Sequence, residues 1–136
     1  MRSLLTVAVS SLLLAAVAMP ASADPLEGYA PVDLTDYTPI EGASALLLLQ
    51  DIIEGHPEAL EGKPVMTVDL RKSEEGQSII IDVEKTGFLD DSVDGERYRA
   101  IVVPGTSQAW KLERLGLKLK CGRGESAGVW TTGNCP

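Results

Sequence analysis

Three groups of side chains in this chain have types and spacing that could do chemistry. Gly124-Glu125-Ser126-Ala127-Gly128 is a literal G-x-S-x-G. In esterases that pattern sets a serine nucleophile on a sharp turn between a buried strand and a helix, with its acid and histidine later in the chain. No Asp, Glu or His follows Ser126, and the single histidine, His56, precedes Pro57 far upstream. The elbow also belongs to a sheet larger than this chain can build. A different chain order would still satisfy the chemistry, so a small hydrolase using Ser126 or His56 is carried as an alternative. The first reading of the pentapeptide is a glycine-rich loop, and of His56 a surface residue at a helix end.

Asp90-Asp91-Ser92-Val93-Asp94-Gly95 imitates the opening of a calcium loop. Asp90, Ser92 and Asp94 stand at the first, third and fifth positions, with Gly at the sixth. The twelfth position, where a bidentate Glu should close the shell, is Ile101, and the eighth is Arg97. The first reading is a polar connection between two strands with Asp94-Gly95 as its turn. A weak calcium site, in a calcium-dependent envelope protein, is the alternative; no metal or other cofactor is otherwise implied.

Cys121 and Cys135 are the third group. The first residues have the layout of an export signal: Arg2, an apolar run from Leu4 to Ala18, then Ala21-Ser22-Ala23 as a small-x-small cleavage site. The run is too short to span a bilayer, which takes about 20 apolar residues. The mature chain is expected to start at Asp24, in a periplasmic or secreted setting where the two cysteines can join. A redox pair would sit closer in sequence, and a zinc site would need more ligands than one histidine adds. The pair is read as a structural staple across a loop rich in glycine.

Cleavage there leaves 113 of the 136 residues, enough for one domain. Loss of Arg2 moves the formal charge from −8 to −9. That balance excludes a nucleic-acid-binding role, which needs a basic footprint. No second apolar segment offers a membrane span. The charge is segregated, however: residues 24–62 carry nine carboxylates and no Lys or Arg, whereas residues 97–123 carry seven cations against Glu113 alone. Either the halves face each other or water, or Lys111, Arg114, Lys118, Lys120 and Arg123 form a basic binding face.

Positioning these groups falls to a short series of elements. Residues 24–37 read as an extended arm, anchored only if Tyr29 or Tyr37 packs. Thr38 as N-cap, Pro39 at the first helical position and Glu41 closing a capping box predict a helix that Gly55 ends in a left-handed turn. Ile40, Ala43, Leu46, Leu47, Leu49, Ile52 and Ile53 form its apolar face, leaving Leu48 on the polar side. A half-helix from Pro57 to Leu60 follows. From Val65 the period becomes two, giving strands around 65–71, 79–84 and 97–103. Pairing Ile81 with Ala100 sets Ile79 against Val102 and Val83 against Tyr98 on one face, and Asp82 against Arg99 and Glu84 against Arg97 on the other. The step from Leu112 to Leu115 breaks the alternation as a bulge at Glu113-Arg114 would; a helix over 107–115 competes with it. Val129 to Thr132 returns as a short strand. The expected fold is α+β: residues 1–23 a signal peptide, 24–37 an arm, and 38–136 a single domain. In that domain one main helix packs on a curled antiparallel sheet of four to five strands, with a C-terminal disulfide.

Asp90-Asp91-Ser92-Val93-Asp94-Gly95-Glu96-Arg97-Tyr98, with Trp110, Cys121, Trp130 and Cys135, resembles a group of small exported bacterial proteins. These share an Asp-Asp-Ser-Val-x-Gly-Glu-Arg-Tyr segment and a Trp-Cys-Trp-Cys tail. The resemblance spans residues 65–136 and implies a bacterial, periplasmic or secreted origin, with no activity attached. The reading that fits all of this is a non-catalytic exported domain that binds an extracytoplasmic protein or envelope component.

Overall fold

Alternation of apolar and polar residues from Val65 onward builds an antiparallel sheet. The computed structural model describes residues 23–35, 37–55 and 63–136. His56, the Pro57–Leu60 segment and residues 1–22 of the expected signal peptide lie outside the described residues. Four long strands form a meander: β3 (Val65–Lys72), β4 (Ile79–Thr86), β5 (Val93–Pro104) and β6 (Trp110–Cys121). Three two-residue strands, β1 (Ala30–Pro31), β2 (Glu41–Gly42) and β7 (Trp130–Thr131), all pair with the far side of β6.

The β4–β5 register is the expected one, with Ile81 opposite Ala100 and Asp82 opposite Arg99. Ile81, Val83, Ala100, Val102, Leu112 and Leu115 thereby share one face and are buried. Between Ile101 and Val102 the β5–β6 pairing steps from Arg114 to Leu112, leaving Glu113 as the extra residue of a bulge. That bulge lets Leu112 and Leu115, three apart, point into the same core. Residues 110–115 are therefore strand and not helix.

The expected main helix is not there. Within the described part of 38–55 only Leu47–Leu49, a 3₁₀ turn, and α1 (Gln50–Glu54) are helical. The α+β class is thus corrected to a mostly antiparallel β fold with one short helical segment. Thr38, Pro39 and Glu41 do not open a helix. Instead the Ile40 carbonyl accepts the Leu112 amide at 2.8 Å, and Glu41–Gly42 pair with Lys111 and Trp110. The physical reason is that β6 ends the sheet on this side, and the backbone of 40–42 satisfies amides and carbonyls that a helix would leave unpaired. Gly55 closes α1 at φ −71°, outside the left-handed region. Leu48 is also reassigned: it and Leu49 are buried, whereas Leu46 and Leu47 are exposed.

The arm is ordered by both tyrosines. Tyr37 donates to the Leu48 carbonyl at 3.1 Å. Tyr29 crosses β6 at Gly116, where an added Cβ would stand 2.7 Å from that of Tyr29. Leu26 is buried against Ile80 and Ile101 on the sheet's outer face. The two faces are therefore covered by different pieces of the same N-terminal segment, Leu26 and Tyr29 outside, and Val32, Leu34, Tyr37 and residues 45–53 inside.

Candidate functional site

The disulfide forms as expected, Cys121 to Cys135, with Cα atoms 5.2 Å apart. Ser126 lies exposed in the loop it closes. The Gly128 amide donates to the Cys121 carbonyl and the Val129 amide to the Ser126 carbonyl. Gly124 and Gly128 adopt φ +77° and +76°, so both glycines of the pentapeptide serve turns within the loop, and no helix follows the serine.

The calcium-like segment is held by its own backbone. Asp90 accepts the amides of Ser92 (2.7 Å) and Val93 (3.1 Å), and these hydrogen bonds, the first above all, hold its carboxyl below the usual carboxylate range. Asp94 pairs with Lys120 at 2.7 Å. The Ser92 carbonyl accepts the Gly122 amide, tying the segment to the disulfide end of β6. Among the described residues no group of three or more His, Cys, Asp or Glu side chains gathers to hold a metal.

Much of the basic face is engaged within the chain. Arg114 grips Asp24 with two hydrogen bonds of 2.8 and 2.9 Å. That grip, helped by the Leu26 amide, pulls the Asp24 carboxyl down to about 2. Lys118 lies 4.5 Å from the centre of the Tyr29 ring, Lys120 pairs with Asp94, and Arg123 donates to the Pro136 carbonyl. Lys111 stands exposed near the other end of β6. The acidic head and basic tail meet at Asp24–Arg114.

The rest of the outer face is a cross-strand ion network. Asp82 accepts from Arg99 at 2.6 and 3.0 Å and from Arg71 at 2.6 Å. Burial alone would raise this carboxyl, but the two arginines outweigh it and hold it below its ordinary value. Glu84 takes Arg97, whose guanidinium stacks 4.2 Å from the Trp130 ring. Arg71, Arg99 and Arg114 line a cleft of about 540 Å³ with Asp24 and Ile80. Each of those cations already has a carboxylate.

Two features escaped the sequence reading. Lys85 continues the inward phase of Ile79, Ile81 and Val83, and its side chain is only 3% exposed. Its ammonium donates to the Ile52 carbonyl at 3.0 Å and meets Glu96 at 3.3 Å. Tyr98 donates to the same Glu96 carboxylate, and burial together with that charge pushes its phenol above the ordinary range. This is a satisfied buried polar cluster that anchors α1 to the sheet. A lysine in phase with three inward residues was its only sequence signal.

The second feature is the asymmetry of the sheet's edges. β6 is sealed by β1, β2 and β7, and further by the Leu112 amide on Ile40 and the Val32 amide on Leu115. β3 forms the opposite edge, and no described strand pairs with its free side. Its register with β4 puts Met66, Val68 and Leu70 beside Lys85, Val83 and Ile81, on the core face. Those β4 neighbours are almost completely buried, whereas Met66, Val68 and Leu70 are 39%, 43% and 48% exposed. The apolar layer runs off the open edge into solvent. The Ser73 amide donates to the Ser78 carbonyl, in phase with the β3–β4 pairing. Odd-numbered β3 residues therefore bond to β4, and residues 66, 68, 70 and 72 direct their amides and carbonyls outward.

Comparison with protein-family models, curated proteins and solved structures returns no match for this chain. No described helix is long and apolar enough to cross a membrane.

Proposed function

We propose that this is a non-catalytic domain, exported and cleaved after Ala23, that works by associating with an extracytoplasmic protein through strand addition at β3. The observation that carries the reading is the contrast between the two edges of the sheet. An edge strand is a row of unpaired backbone groups, and stable proteins blunt it with bulges, prolines, short length or a cover. Here the β6 edge is covered by three separate pieces of chain, while β3 runs eight residues without a bulge and displays apolar side chains on the core face. Strand addition takes affinity from main-chain hydrogen bonds and specificity from alternate side chains. Residues 66, 68, 70 and 72 supply the first, and Met66, Val68 and Leu70 the second. The Cys121–Cys135 bridge suits an oxidising compartment.

The test is capture by the tagged mature chain, disulfide intact, offered untagged chain and periplasmic extract. Val68→Pro deletes one outward amide that the β3–β4 ladder does not use, and should abolish capture. Lys111→Ala, on the basic face, should leave it intact. Capture that follows Lys111 and ignores Val68, or an ester hydrolysis abolished by Ser126→Ala, would overturn the reading.

A further inference from the structure

We infer that the strand received by β3 is β3 of a second copy, paired antiparallel about a two-fold axis through Leu70. The inference rests on the strand-addition reading and names its partner. Outward-bonding positions must meet outward-bonding positions, so only registers that join even-numbered residues are allowed. With Leu70 on the axis, Leu70 faces the partner's Leu70 and Val68 faces the partner's Lys72. On the outer face Asp69 then stands directly opposite the partner's Arg71, and by symmetry Arg71 opposite the partner's Asp69.

Charge selects this arrangement. Asp69 and Arg71 are neighbours on one face of β3, with side chains 70% and 41% exposed. Opposite charges two residues apart on an edge strand complement themselves only in an antiparallel pair whose axis passes between them, and a two-fold interface repeats each contact. Shifting the axis to Val68 would set Asp69 against the partner's Thr67 and Arg71 against the partner's Val65, with no opposite charge across the strand pair. The closely spaced, non-hydrogen-bonded positions 69 and 71 are also where cross-strand side chains approach most nearly. Arg71 contacts both Asp69 (3.1 Å) and Asp82 (2.6 Å) of its own chain; in the pair it keeps the bond to Asp82, and the exposed contact with Asp69 is exchanged for the cross-strand one. The result is one continuous sheet through two copies, which removes the open edge of each.

Sedimentation equilibrium of the mature, disulfide-bonded chain tests this. Wild type should dimerise. Asp69→Lys and Arg71→Glu should each weaken the dimer at least about tenfold, because each sets like charges opposite one another twice. An equimolar mixture of the two variants should recover the dimer, since both cross-strand pairs are again opposite in sign. Val68→Pro should be monomeric with an unchanged circular dichroism spectrum. Should Arg71→Glu fail to fold, Asp69→Lys and Val68→Pro decide the matter. A monomeric wild type that still captures another protein, with capture lost in Val68→Pro, would overturn the second copy and leave strand addition standing. A dimer indifferent to Val68→Pro would overturn both, and a dimer lost in Val68→Pro but unmoved by Asp69→Lys would overturn the register.

Discussion

Lys85 on β4 donates a hydrogen bond of 3.0 Å to the carbonyl of Ile52, 33 residues earlier in the chain. It reaches Gly55 and Glu96 as well. One ammonium therefore caps the last turn of α1 and pairs with a carboxylate inside the sheet's apolar face. A five-residue helix has almost no stability of its own, so its position depends on such ties and on Leu48, Leu49 and Ile52.

Lys85→Met should lower stability by about 1–3 kcal/mol, because it leaves buried carbonyls and part of Glu96 without a donor. Adding Glu96→Gln should cost less than the single losses summed. Urea denaturation of the four proteins checks this, and strict additivity would remove the coupling.

Asp82 is predicted to be worth more than either arginine it binds. Asp82→Asn strands two guanidiniums, whereas Arg71→Gln leaves the Arg99 bonds in place. Exchanging the charges of Asp82 and Arg99 together should cost less than both single reversals added, by about 0.2–1 kcal/mol. The folded-state value of Asp82 is lowered, so its contribution is complete above 3.8 and is lost as pH falls below that value. Denaturation midpoints followed from neutral pH downward should decline there, with a smaller decline in Asp82→Asn.

Asp24 should titrate near pH 2 in carboxyl-detected NMR and return towards its ordinary value in Arg114→Gln. Leu26→Ala should destabilise by about 2 kcal/mol through the packing lost with Ile80 and Ile101. An Asp24 that titrates normally would mean the arm is not held on the outer face.

Replacing Cys121 and Cys135 by Ser should cost about 2–4 kcal/mol. The loss should concentrate on Trp130, which the closed loop returns to β6 and to Arg97. Ser126→Ala should change neither stability nor hydrogen exchange. Free thiols in protein taken directly from the periplasm would sink this prediction.

What the sequence determined alone was whatever a strand's period of two can encode. Alternation of Ile79, Ile81 and Val83 against Tyr98, Ala100 and Val102 sets the β4–β5 register, because a slip of one residue turns every apolar side chain to water and separates Asp82 from Arg99. The break between Leu112 and Leu115 marked the bulge for the same reason. The 38–55 segment carried equally clear local signals, a capping residue, an N-terminal proline and an apolar stripe, and there they misled. Local propensity competes with the backbone groups of distant strands, and the edge of β6, about 70 residues away, recruited Glu41–Gly42 as a strand and the Ile40 carbonyl as an acceptor. Only the tertiary structure reveals that the same segment seals one edge of the sheet, that Lys85 is buried, and that no described strand pairs with the free side of β3. Edge position belongs to the assembled sheet and has no local signature, and the phase of Lys85 with Ile79, Ile81 and Val83 marks its face without supplying the Ile52 and Glu96 partners that make its burial possible.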